Sequence, residues 1–182
     1  MAWRICIEKN KAIIVFEDDI LISRGWEKTL NKLIVENNLE FDFILLGWNF
    51  DSVLRAELFP GINITSLFDP PYPNEEELLE VLNNQHKTKL HKLKNAFGLP
   101  GYIITPKCAK KLINFLLPLK AEKIHISRGI PELTSYTLDA QLNKFYKKIN
   151  AYVSIDPIAI ALNNPEESLT NRRNNPRKFL NN

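Results

Sequence analysis

No apolar run in these 182 residues approaches the about 20 that a membrane-crossing helix requires. The first residues carry Arg4, Glu8 and Lys9, so they do not read as a secretory signal, and a cytoplasmic location is the expectation. Cysteine is sparse: Cys6 and Cys108 lie far apart, each among apolar neighbours in a run that reads as helix, and they are expected as buried reduced thiols. Charge of one sign is not in excess. The formal net charge is +3, the basic residues are scattered, and no aromatic–basic patch interleaves, so no nucleic-acid partner is expected. There are three histidines. His86 and His91, five apart in a Lys-rich stretch, miss the three-or-four spacing of one helical face and read as a solvated surface. His125 stands alone in a loop or short strand.

What is present suits one α/β domain. Residues 2–10 look helical. Ala12-Ile13-Ile14-Val15-Phe16 is a continuous β-branched run, expected as a strand buried on both faces. A turn over 20–25, a helix over 26–37 and a strand over 41–46 follow. Residues 47–65 read as irregular and 69–73 as a rigid proline loop. A charged helix is expected over 75–93, then a strand over 98–105. Thr105-Pro106 makes a helix start, with Thr as N-cap and Pro at the first helical position. That helix runs to about Leu117. A helix over 138–149 and a strand over 152–155 close the domain, and beyond Pro157 the chain is polar and turn-rich. The domain is expected over 1–162, with a polar, basic tail over 163–182 that holds Arg172, Arg173, Arg177 and Lys178. Alternation of strands and helices predicts a mainly parallel sheet flanked by helices.

Glu17-Asp18-Asp19 directly follows the first strand. In open α/β sheets ligands bind beyond the carboxyl ends of strands, where charges face a crevice. In an extended segment Glu17 and Asp19 point one way and Asp18 the other. Two oxygen donors on one side suit a hard divalent cation, which in turn grips phosphate oxygens. The competing reading is a solvated acidic turn.

The run Ile13 to Ile20, with its acidic triplet, resembles the strand and acidic motif of glycosyltransferase family 25, whose members include lipopolysaccharide and lipooligosaccharide galactosyltransferases. Trp3 and its helix, Phe41 to Gly47, Gly98 to Thr105 with the following Ala109-Lys110-Lys111-Leu112, and Tyr152 to Pro157 are similar to further family segments in order and spacing. The resemblance extends from Met1 to about Arg173. Family members begin with a strand and a βα unit ahead of the tryptophan helix, so it implies that the chain lacks the amino-terminal part.

The resemblance implies a GT-A-like fold and metal-dependent transfer of a sugar, galactose first, from a UDP-sugar. The acceptor implied is a bacterial surface glycan or glycolipid, with inversion at the transferred carbon. It implies Mn²⁺ or Mg²⁺ held by Asp19 and Glu17, with Asp18 positioning the donor, and Asp139, at a helix start, as general base. Asp139 reads equally as a first-turn helix charge. Trp48, next to Gly47, reads either as a sugar-stacking indole at the crevice edge or as a core residue. The basic tail admits peripheral contact with an inner membrane face. An open sheet edge admits an oligomer. The alternative function is a catalytically inactive, truncated remnant binding at most a metal ion.

Overall fold

A computed structural model describes residues 2–36, 38–69, 71–83, 88–127 and 129–163. Its helices are α1 (Ala2–Lys9), α2 (Trp26–Asn31, continued by a π-helical turn over Lys32–Glu36), α3 (Glu75–Asn83), α4 (Pro106–Leu116) and α5 (Leu138–Leu142, followed by a 3₁₀ turn over Tyr146–Lys148). Its strands are β1 (Ile13–Phe16), β2 (Ile20–Ile22), β3 (Phe43–Leu45), β4 (Val53–Phe59), β5 (Ile62–Leu67), β6 (Leu90–Ala96), β7 (Gly101–Ile104), β8 (Glu122–Ile124), β9 (Leu133–Ser135), β10 (Ala151–Ser154) and β11 (Ala159–Ala161).

Seven strands form one sheet in the order β1-β7-β3-β10-β6-β4-β5, and two-stranded ladders join β11 to β2 and β8 to β9. Only β3 and β10 pair in parallel; every other neighbouring pair in the large sheet is antiparallel. The expectation of a mainly parallel sheet is therefore corrected to a mixed, mostly antiparallel one. Its physical basis survives in part. β1, β3 and β10 all run in one direction, but β7 fills the slot between β1 and β3 in the opposite sense. The carboxyl ends of β1, β3 and β10 still share one edge.

Burial follows the two-residue period of a strand covered on both faces. Phe43 and Leu45 enter a core with Trp3, Cys6, Tyr102, Cys108 and Leu112. Ile44 and Leu46 enter the opposite core with Leu30, Leu33, Ile103 and Ile158. Each such fully buried side chain contributes roughly 1.5–3 kcal/mol. α1 packs on α4. There the Trp3 indole donates to the Tyr102 hydroxyl (3.0 Å), and the Tyr102 ring stacks on Phe43 (5.1 Å). Thr105 caps α4 as expected, its hydroxyl accepting from the Cys108 N–H (3.3 Å). Both cysteines are buried and free. Burial pushes the Cys108 thiol up to about 12, which keeps it protonated and inert.

Several local expectations are corrected. Residues 20–22, expected within a turn, are a strand held by pairing with β11, itself a strand in the stretch beyond Pro157 expected as turn-rich. The helix over 26–37 ends its regular α-turns at Asn31. Residues 47–65 contain β4 and most of β5, a hairpin turning at Pro60-Gly61, where Gly61 takes φ +79° and its N–H reaches Glu57 (3.1 Å). Within the stretch expected as one charged helix, α3 is described over Glu75–Asn83, whereas residues 90–93 belong to β6, slotted between β10 and β4. The helix over 138–149 breaks after five residues into 3₁₀ geometry. His91 lies half-buried on β6 and His125 is exposed after β8; His86 and all of the tail except Asn163 lie outside the described residues.

At the end of β3 the chain segment leading into β11 crosses the sheet edge at contact distance. The N–H groups of Ile158 and Ala159 both donate to the Leu46 carbonyl, at 2.7 and 3.1 Å. A β-carbon on Gly47 would lie 1.7 Å from the Ala159 carbonyl oxygen, so only glycine fits there. Gly47→Ala is expected to destabilise the fold by about 2 kcal/mol or more, read as a lowered urea midpoint with an unchanged slope.

Candidate active site at the carboxyl edge of the sheet

β1 ends where its last residue, Phe16, meets Trp26 edge-on, with ring centroids 5.5 Å apart. The Glu17 N–H still bonds across to the Pro100 carbonyl (3.1 Å), and the chain then bends at Asp18-Asp19. The Asp19 carbonyl accepts from Leu162 N–H (2.8 Å), and Ile20 onward pairs with β11. The acidic run is thus a bend pinned at both ends, not an extended segment.

All three acidic side chains are exposed. The protein around Glu17 nevertheless removes enough water to raise its pKa above the ordinary value near 4.5. Desolvation is the first cause, followed by the negative charges of Asp19, Asp139 and Asp18 in that order. Asp139 acts on Glu17 more strongly than Asp18 does, although it is remote in sequence. The fold therefore brings Asp139 near enough to the acidic bend for its charge to act on Glu17.

Asp139 is half-buried in the first turn of α5, and its Oδ2 accepts from the Gly98 N–H (3.1 Å). Gly98 has φ +80°, and a β-carbon there would lie 2.1 Å from Asn49 Oδ1. Buried Asn143 sets the height of α5. Its amide group donates to the Ala96 and Asp139 carbonyls (2.8 and 3.1 Å), and its Oδ1 accepts from the Ala96 N–H (2.9 Å). None of the four carboxylates pairs with a lysine or arginine among the described residues. Among those residues, too, no three His, Cys, Asp or Glu side chains converge as a metal-binding group.

Sequence reasoning missed Tyr72 and Asp51. The Tyr72 hydroxyl donates to the Ala161 carbonyl (2.8 Å), tying the proline loop to the strand that holds the acidic bend. Burial raises its pKa first, then the charge of Asp51, with Asp19 and Glu17 adding to the effect. An aromatic residue set among prolines at 70, 71 and 73 was the available signal. Trp48 takes the second of its two readings, that of a core residue. It is 3% exposed, packed among Phe50 and Phe68, and does not present its indole to the crevice.

Glu17 binds its proton more tightly in the folded than in the unfolded chain. Its contribution to stability is therefore complete below pH 4.5 and lost as pH rises through the folded value. Glu17→Gln is expected to melt at a higher temperature than the parent at pH 7, with the difference closing below pH 4.5; equal melting temperatures at pH 7 would remove the strained-carboxylate assignment.

The pattern of Glycosyltransferase family 25 (LPS biosynthesis protein) matches residues 1–127, which includes the acidic bend, β3, the Tyr72 loop and α4 but ends before Asp139. No curated protein gives a significant match. Among the described residues no helix is long and apolar enough to cross a membrane. With most of its length matched, the chain belongs to glycosyltransferase family 25, a family of lipopolysaccharide-biosynthesis proteins.

Proposed function

We propose that this glycosyltransferase moves a hexose, galactose first among candidates, from a UDP-sugar to a hydroxyl of a lipopolysaccharide-type glycan or glycolipid. The observation that carries the reading is the family match over residues 1–127, which takes in the acidic bend at the end of β1, with the charge of Asp139 reaching Glu17 from α5. One carboxylate group handles the donor and the other the acceptor.

The donor set at the bend is all oxygen, which fits Mn²⁺ or Mg²⁺. Such ions are commonly held by one or two carboxylates plus substrate phosphates, so a crevice without three converging protein ligands suits them. Asp19 is assigned as the direct ligand and Glu17 as a second contact, with Asp18 positioning the donor. When bound, the cation would neutralise charge on the leaving diphosphate. Asp139 would take the proton of the acceptor hydroxyl as that oxygen bonds to the anomeric carbon and the carbon–phosphate-oxygen bond breaks. Its Oδ2 is oriented by Gly98 N–H, which leaves Oδ1 for the proton.

UDP-galactose with Mn²⁺ is expected to raise the melting temperature, as ligand linkage requires. The shift should vanish in chelator and in Asp19→Ala. Asp139→Asn should keep the shift yet lose about a hundredfold or more in UDP release with acceptor present. No shift with any of a panel of nucleotide-sugars, in a folded sample, would sink the catalytic reading and leave a non-catalytic family member.

A further inference from the structure

The opposite edge of the sheet, where β3 and β10 begin, carries the reverse charge. A cavity of about 530 Å³ opens there between β6, α4 and the 3₁₀ turn before β10. That volume lies within the range of small-molecule sites. Six lysines line it: Lys92, Lys94, Lys107, Lys111, Lys147 and Lys148. Among the described residues a single carboxylate, Asp42, faces them, and it already accepts from the Asn150 N–H (3.1 Å).

Three of the lysines are engaged. Lys94 pairs with Glu57 (2.6 Å), Lys148 sits over the Phe115 ring (4.1 Å) and Lys92 over Tyr152 (5.8 Å). Lys107, Lys111 and Lys147 have no carboxylate partner among the described residues. Partial burial lowers the Lys147 pKa first, and the positive charges of Arg55 and Lys94 lower it further. Like charges converging on a concave surface repel one another, and a multivalent anion in their midst relieves that repulsion. The six lysines come from three separate elements, β6, α4 and the 3₁₀ turn, that meet around this one cavity.

We propose that this cavity is a second ligand site, a receptor for a phosphate-bearing group, contacted by Lys107, Lys111 and Lys147. It lies across the sheet from the acidic bend and does not depend on the donor-site reading. The phosphate belongs either to a soluble phosphorylated compound or to a lipid headgroup, and both present the same oxygens to the lysines.

The probe is inorganic pyrophosphate, titrated by calorimetry into the full chain in chelator at fixed ionic strength. Chelator removes any metal-bridged binding at the acidic bend. Saturable binding is expected, unchanged in Asp19→Asn. It should weaken at least about tenfold in the triple variant Lys107→Gln, Lys111→Gln, Lys147→Gln. These three side chains are exposed, so the variant should keep the parent circular dichroism and melting transition. Co-sedimentation with phosphatidylglycerol vesicles separates the sources. Sedimentation displaced by pyrophosphate assigns a lipid headgroup, whereas absent or undisplaced sedimentation assigns a soluble phosphate. No pyrophosphate binding, or binding that the folded triple variant retains in full, overturns the proposal.

Discussion

The crossing of the chain over the end of β3 is the contact on which the acidic crevice depends. Two N–H groups converge on the Leu46 carbonyl, and Gly47 leaves room for the approaching backbone. Because that segment is seated there, β11 lies beside β2, and the bend bearing Asp18 and Asp19 is held between β1 and this small ladder. Tyr72 then locks the proline loop to the same strand. A site of exposed carboxylates cannot be ordered by its own side chains, which repel. Backbone hydrogen bonds on both flanks supply the order instead.

The family relation gives the acidic bend its chemical context, and the fold adds Asp139 from beyond the matched stretch. The two groups arrive by different routes. The bend is fixed by sheet pairing, whereas Asp139 is fixed by an asparagine bridge from α5 to the end of β6 and by one glycine N–H. Neither route uses an ion pair among the described residues. Mutual repulsion in the crevice therefore stays available to a cationic partner, and that is the electrostatic condition for binding a metal or a metal–diphosphate.

The parts legible in the sequence were those in which local pattern and burial agree. β3 and β7 are continuous apolar runs because both their faces are covered, and α4 announced itself through Thr105-Pro106; β1, expected to be buried on both faces, is instead an edge strand with Ile14 exposed and its other side chains half-buried, because only β7 pairs with it. The hairpin of β4 and β5 was obscured because its edge strand is mostly solvent-exposed and mixes Ile62, Ile64 and Leu67 with polar residues, so no apolar run marked it. β6 looked like a continuation of α3 because its lysines alternate with His91, Leu93 and Asn95. Asn95 is wholly buried, an identity that burial alone does not favour. Strand direction was misjudged because helix–strand alternation says nothing about a later strand inserting between two earlier ones. At the site, three adjacent carboxylates could be found by reading along the chain. The approach of Asp139, Asp51 and Tyr72 could not, since it arises from sheet topology rather than from spacing.

The pairing of β2 with β11 closes a loop of about 140 residues, a contact that polymer entropy makes slow to form. During synthesis β1 and its acidic bend emerge long before the strand that will hold them. Local elements such as α4 and the β4–β5 hairpin can form early, while the bend stays unsupported until Ala159 to Leu162 arrive. Ordering of the bend is thus tied to completion of nearly the whole described chain, and the carboxylates take their folded positions only once the surrounding sheet exists.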